Sequence, residues 1–434
     1  MKSKTNLKMH KYFLLYIFLL ISYVAKSQSE NSDLEKLEEY VEVNLTEVSS
    51  ILLDNNTYDD LEPLKLAIGD SRVVMLGEQD HGDAPTFLAK ARIIKYLHEQ
   101  MGFEVLAFES DFFGLNRSWE ELLDQRLSLD DVFLNIFPIW TICEQAQPVF
   151  NYIRECFDSD NRLIVTGIDC QDHQKFAREN LVPELDNLLK TLNIPFVKSN
   201  EYQRFISLLP VITAYDPKAL LKESKKSQKF LFTSLDIVKT QLLEIRNPDL
   251  EFWIQVIRSI RADGENLLTV NDNSLTADNV RDTQMGNNLL WLVKNKFPNK
   301  KIIVWLHSQH AAKNMNIIVK TKKEMISVGR VVHDSLQTEL YVLGFTCYSG
   351  SAGRLTVKKR KTYAIKEPTN ESIEHFIHKK GYDYAFLDFR NGKEQLGLFK
   401  MKGVSPYEIH GDWPKVLDGI FYIKDMYPCD RIEQ

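Results

Sequence analysis

The chain has 434 residues, 44% of them hydrophobic and 26% charged, with a formal net charge of -6. This is ordinary globular composition at a length that buries a large core in one large domain or two intimate ones. The acidic balance argues against a general nucleic-acid binder, because a surface of that sign repels phosphates.

The first predicted element is a targeting segment. Lys2, Lys4, Lys8 and Lys11 precede an apolar run from Tyr12 to Val24, and Ala25-Lys26-Ser27-Gln28 follows. This is the charged, apolar and small-residue pattern of a secretory signal peptide, so residues 1–27 are expected to be cleaved and the rest exported, to the periplasm or beyond. The run is short for a membrane span, and no stable anchoring is expected after cleavage, an uncleaved anchor being the alternative. Cleavage removes five lysines and no acid, which moves the formal charge from -6 to -11. Residues 28–434 are then expected to form one domain, after a polar, loosely attached Ser29–Glu35.

Helical spacing runs from Leu34 to Leu53, and Leu61–Ile68 predicts another short helix. A strand in Arg72–Gly77 leads into Gly77-Glu78-Gln79-Asp80-His81-Gly82, and a helix opens near Asp83 and Pro85, where an acid caps and a proline suits the first turn. Phe87, Ala91, Ile94, Leu97 and Met101 give this helix a core face, and His98 is placed on its surface. A second strand, Val105–Phe108, precedes a loop carrying Phe112, Phe113 and Trp119. Phe133–Arg154 is expected to be helical and contains Trp140 and Glu144. After a third strand, Leu163–Gly167, only helical periodicity remains from about residue 174 to 291, its last helix starting near Thr276. Strands resume at Ile302–Leu306, Tyr341–Thr346 and Tyr384–Phe389 and end near Ile420–Ile423. The fold class is α/β: a central, mostly parallel sheet flanked by helices, with the 174–291 insertion capping the active-site cleft.

Five cysteines (Cys143, Cys156, Cys170, Cys347 and Cys429) stand far apart with no CxxC pair. They define no disulfide framework or zinc motif and are expected mainly as small buried hydrophobes. The basic runs Lys358–Lys361 and Lys222–Lys229 are expected as solvated surface.

Four strands end on residues able to do chemistry: Glu78, Glu109, Asp169 and His307. Ligands of open parallel sheets bind at the carboxyl ends of strands, so these ends point to one shared polar site. Glu78 and His81 place a carboxylate and an imidazole at a helix entrance. There the imidazole can take a proton from water while the carboxylate fixes its tautomer. In isolation, a hydrogen-bonded loop pair is the plainer reading. His307 and His310 form a second imidazole pair; their spacing is no metal signature alone, and zinc ligation or contact with substrate both stay open. Ser308 lies in no Gly-x-Ser-x-Gly elbow and is set aside as a nucleophile. Buried Glu109 and Asp169 need counter-ions, for which Lys90, Arg92 and Arg281 are candidates. These cations, with Asp169 and Trp140, are the expected substrate-binding set; a structural ion-pair network is the alternative for Asp169 and Arg281.

These segments, in this order, resemble the erythromycin esterase family. The matching stretches are Gly77-Glu78-Gln79-Asp80-His81-Gly82, Phe108-Glu109-Ser110-Asp111, Gly167-Ile168-Asp169, Arg281-Asp282-Thr283-Gln284-Met285-Gly286-Asn287-Asn288 and Val304-Trp305-Leu306-His307-Ser308-Gln309-His310. The resemblance implies hydrolysis of the lactone ester of 14-membered macrolides such as erythromycin, and hence antibiotic resistance. It places the general base on His81, the motif glutamates on Glu78 and Glu109, and the histidine pair on His307 and His310, which would orient the base and stabilise the oxyanion. No cofactor is required by this reading, and a divalent metal is left open. Two positions depart from the family pattern. Ser308 replaces an asparagine, and Gln79-Asp80 replaces Ala-Thr or Ser-Thr, adding a charge beside His81 that is expected to raise its pKa. The alternatives are hydrolysis of another ester and an exported metal- or haem-binding protein on a related fold.

Overall fold

A computed structural model describes residues 32–432, apart from 56, 214, 215, 217, 322, 356–361, 393 and 395. The targeting segment and the basic Lys358–Lys361 run therefore lie outside the described residues. Eleven strands are present among them: β1 (Thr46–Glu47), β2 (Val73–Glu78), β3 (Phe103–Asp111), β4 (Ile164–Asp169), β5 (Lys301–His307), β6 (Leu340–Ala352), β7 (Tyr363–Ile365), β8 (Tyr384–Asp388), β9 (Phe399–Met401), β10 (Ile409–Gly411) and β11 (Gly419–Met426). Nine form the main sheet in the order β1-β8-β11-β6-β2-β5-β3-β4, with β7 on β6. The run from β11 to β4 is parallel throughout, and β8, β1 and β7 add antiparallel edges.

The strands are continuous apolar runs because both faces of the sheet are covered. Alternate residues enter two separate cores. Val73, Met75, Ile302, Val304 and Leu306 pack with the helices of the 175–291 region, while Val74, Leu76, Ile303 and Trp305 pack with the Ala84–Met101 and Gln147–Phe157 helices. Between β4 and β5 the described residues are helical, from Lys175–Leu192 to Ser274–Trp291. Most of this insertion is a flanking layer on one face, and its last helix reaches the carboxyl ends of the strands.

Several boundaries differ from the sequence reading. The segment after β3 is the helix Phe112–Leu123, whose first turn is capped by the Asp111 carboxylate accepting from Gly114 N at 2.6 Å. The expected Phe133–Arg154 helix is broken into Leu129–Phe133, Pro138–Thr141 and Gln147–Phe157. Pro138 explains the first break, since it lacks an N–H and holds Phe137 at ψ 136, outside helical geometry, and Pro148 sits in the first turn of the last piece, where its missing N–H needs no partner. Helical spacing past residue 44 gives way to β1, which pairs with β8. His98 is buried and bonded to Tyr152 Oη at 2.6 Å. Cys143 and Cys429, expected as free hydrophobes, form a disulfide with Cα atoms 5.6 Å apart. No helix among the described residues is long and apolar enough to cross a membrane.

Candidate active site

β2, β5 and β3 are neighbours, and β2 pairs with β5 so that Glu78 and His307 are register partners. The sheet thus fixes the first two groups of the site side by side. Glu78 is completely buried and accepts three hydrogen bonds: from His81 Nδ1 at 3.0 Å and Trp140 Nε1 at 2.9 Å on one oxygen, and from Lys90 Nζ on the other. Lys90, also fully buried, gives a further bond to the Leu306 carbonyl at 3.2 Å and lies 4.6 Å from the Trp305 ring centre. Burial pulls the Lys90 ammonium below its usual pKa, against the opposing pull of Glu78. Lys90 and Trp140, expected to touch substrate, are instead the floor and wall that hold Glu78.

The turn between β2 and the Ala84–Met101 helix carries His81. Its side chain is 13% exposed, and its Nε2 has no hydrogen-bond partner among the described residues. Gly82 is required where it stands, since a Cβ there would lie 1.8 Å from the Gly353 carbonyl oxygen. Asp80 does not face the imidazole. Its carboxylate bonds Arg354 and accepts from Tyr363 Oη at 2.5 Å, which ties the turn to the β6–β7 hairpin.

His307 neighbours both other imidazoles, tilted 56° to His81 with ring centres 5.0 Å apart and edge-on to His310 at 6.2 Å. Its Nε2 donates to the Gln79 carbonyl at 2.8 Å, and its Nδ1 accepts from Gln309 N at 3.1 Å. Burial, then the neighbouring imidazoles, push its pKa well below 6.5, so the ring is neutral. With both nitrogens used, His307 has neither a lone pair for a metal nor a proton for an oxyanion. The expected oxyanion role therefore does not fit this residue.

His310 has the opposite environment. Its Nδ1 faces Asp282 at 2.8 Å and its Nε2 faces Glu109 at 3.3 Å. Burial alone would lower its pKa, but Asp282 and Glu109 outweigh that and raise it to about 9. Glu109 also accepts from Arg281 Nη2 at 3.1 Å and from His307 N at 2.8 Å; against burial, His310 and His81 first, then Arg281 and the His307 N–H, hold its carboxyl far below the usual range. Arg281 grips Asp169 with Nε at 3.2 Å from both oxygens. Asp169 and Arg281 therefore form a buried ion pair whose guanidinium edge is shared with Glu109. Among the described residues no three His, Cys, Asp or Glu side chains converge as a metal-ligand set, and the engaged His307 and His310 nitrogens do not fit one.

Arg92 does not join the site. It bonds Asp60, Ser50 O and Thr57 O near the amino-terminal edge, where it anchors the segment before β2. The sequence reading missed Asp282 as a partner of His310, although it sits beside Arg281 in the quoted motif. It also missed a dyad beside the site, His173 Nε2 to Asp263 Oδ2 at 2.7 Å, which joins residues ninety positions apart and leaves no local signal.

A buried carboxylate, an oriented imidazole and fixed cations thus meet at the carboxyl ends of the parallel strands of an α/β fold, an arrangement suited to general-base chemistry. The erythromycin esterase family model matches residues 98–424, and the chain belongs to that family. The match begins after the turn that carries Glu78 and His81. The chain is 24% identical over 402 residues to the erythromycin esterase type II of Escherichia coli, covering 85% of this chain and 93% of that one. It is 26% identical over 373 residues to YbfO of Bacillus subtilis (strain 168), a protein with a provisional hydrolase name, covering 79% of this chain and 80% of that one. The solved structure of a mutant erythromycin esterase EreC in its open conformation superposes with a TM-score of 0.71 at 16% identity, covering 90% of this chain and 99% of that one. At that identity the likeness speaks for the fold. Family and relatives together support a hydrolase.

Proposed function

We propose that the protein is an exported carboxylic ester hydrolase that opens the lactone of 14-membered macrolides, such as erythromycin, by His81-activated water, and so confers resistance to them. The observation that carries this reading is the His81 imidazole, fixed at Nδ1 by buried Glu78, partly exposed, and without a partner at Nε2 among the described residues. The Nδ1–H···Glu78 bond sets the tautomer that leaves a lone pair on Nε2. That lone pair takes a proton from water, and the resulting hydroxide attacks the ester carbonyl carbon. The carbonyl oxygen becomes an oxyanion, for which the donor is Arg281 Nη1, the guanidinium nitrogen that bonds neither Asp169 nor Glu109, with His310 beside it fixed between Asp282 and Glu109. Collapse breaks the carbon–oxygen bond to the alcohol, and the His81 imidazolium returns its proton to the leaving alkoxide. One water is consumed, and an acid and an alcohol form. No step needs a metal.

Mass spectrometry of erythromycin incubated with the protein tests the reading, with and without chelator and beside a panel of other esters. A gain of one water on the drug, insensitive to chelator, is expected. His81→Ala should fold normally and lose roughly a hundredfold to ten-thousandfold in rate, the usual contribution of a general base. An intact drug beside a cleaved ester would keep the hydrolase and remove the macrolide; activity retained in His81→Ala would remove the base.

A further inference from the structure

The segment that follows β11 crosses the back of the catalytic turn. Cys429 N donates to the Gly82 carbonyl at 2.8 Å, and Ala84 N donates to the Tyr427 carbonyl at 3.0 Å. On its other side the same segment pairs with the residues after Trp140. Glu144 N donates to Asp430 O at 2.8 Å and Ile432 N to Ile142 O at 3.1 Å, while Gln145 and Asp430 exchange bonds of 2.9 and 3.1 Å. Cys143, whose N–H bonds the Trp140 carbonyl at 3.0 Å, is joined to Cys429 by the disulfide, and both sulfur-bearing residues are fully buried. One short strip of chain thus holds both groups that grip Glu78 Oε1: the His81 turn on one side and the Trp140 segment on the other.

We propose that residues 427–432, fastened by the Cys143–Cys429 disulfide, are a positioning strap that holds His81 and Trp140 on Glu78, and that the site matures only where thiols are oxidised. The link to turnover rests on the esterase reading; the hold on the turn does not. Without the bridge, the strip holds the turn by the two backbone hydrogen bonds named above and the Trp140 segment by two more, and a segment so lightly fastened opens locally. Closing the bridge joins two thiols. Each sulfur gives up one proton and one electron, and a disulfide oxidant takes up both to become a dithiol. Once closed, the burial of both cysteines shields the bond from attack by a thiolate, so the strap is set once and is not toggled.

Hydrogen-exchange mass spectrometry on the full chain reads the strap independently of catalysis. In a Cys143→Ala/Cys429→Ala double variant, exchange of peptides covering 77–84 and 138–146 should rise about tenfold while β3, β5 and β6 keep their protection. On any ester the wild type cleaves, kcat should fall about tenfold or more with KM changed less than about twofold, the signature of a misplaced base and not of a damaged binding surface. Gln145→Ala, which loosens one end of the strap and leaves the cysteines intact, should raise the same exchange about threefold and serves if the double variant does not fold. Unchanged exchange in the folded variants, or a uniform loss of protection across the sheet, overturns the strap, and so does an unchanged kcat. Loosened turn peptides in a protein that cleaves no ester would keep the strap and remove the esterase.

Discussion

The Trp140 indole donates to Glu78 at 2.9 Å on the same carboxylate oxygen that orients His81. The oxygen's two partners are a fixed N–H from a buried ring and the imidazole that must act, so the indole sets where the imidazole can sit. Trp140→Phe removes this donor together with the second ring of a fully buried indole. A hydrogen bond to a charged carboxylate is worth about 1.5–3 kcal/mol, so kcat on a cleaved ester should fall at least about tenfold, and the cavity left by the smaller ring should lower the melting temperature as well. Steady-state kinetics beside a thermal melt checks this, and an unaltered kcat would show that Glu78 is held well enough by Lys90 alone.

Lys90 is the counter-ion of a carboxylate that is fully buried. Lys90→Met should cost about 3–5 kcal/mol, because it leaves Glu78 charged and uncompensated in the core. Adding Glu78→Gln should recover part of that stability while abolishing turnover. Denaturant titrations of the three proteins at constant m-value measure the coupling; an equal or additive loss in the double variant would contradict it.

Two glycines in neighbouring segments give a contrast. A Cβ at Gly82 would meet the Gly353 carbonyl oxygen at 1.8 Å, whereas Gly102, at φ +69, has nothing within 4 Å. Gly82→Ala must push the catalytic turn off the β6–β7 hairpin and should remove most activity. Gly102→Ala carries only left-handed backbone strain of about 1 kcal/mol and should leave kinetic constants unchanged. Parallel assays and melts separate the two outcomes.

Stability should be domed around neutral pH, with one histidine on each side. His310 titrates at about 9 in the fold against an ordinary 6.5. Its contribution is therefore whole below 6.5 and drains away as pH rises through 9, at most about 3 kcal/mol. His307 lies below 6.5 in the fold, so its contribution is whole above 6.5 and is lost as pH falls; the depressed carboxyl of Glu109 adds to that acid loss. His310→Gln should flatten the limb between pH 6.5 and 9 in a series of thermal melts. A limb of unchanged slope would place its origin elsewhere.

The strand ends were legible in the sequence because buried parallel strands are short apolar runs, and each polar residue closing such a run stands out against it. Glu78, Glu109, Asp169 and His307 were found in that way, His81 and His310 in the turns that follow, and these side chains do meet in space. Their individual tasks were not legible. Whether an imidazole is neutral or charged depends on partners such as Gln79 O and Asp282, which the register of β2 on β5 and the pitch of the Ser274–Trp291 helix bring in. Arg92 shows the limit plainly: two positions from Lys90 on one helix, it faces Asp60 and not the cleft. The disulfide was hidden for a different reason, since its halves lie 286 residues apart and only the folded tail brings them together.

The position of β5 carries a consequence for how the molecule comes to exist. β5 lies between β2 and β3, yet it is synthesised after nearly two hundred further residues have followed β3. Until residues 281–310 arrive, a growing chain holds Glu109 and Asp169 without Arg281, His307 or His310, and with an open gap between its first two long strands. Those carboxylates cannot be buried alone, so the amino-terminal half cannot close on itself ahead of time. The pairing that completes the sheet is the same event that assembles the site, and a chain cut short before β5 should neither fold nor act.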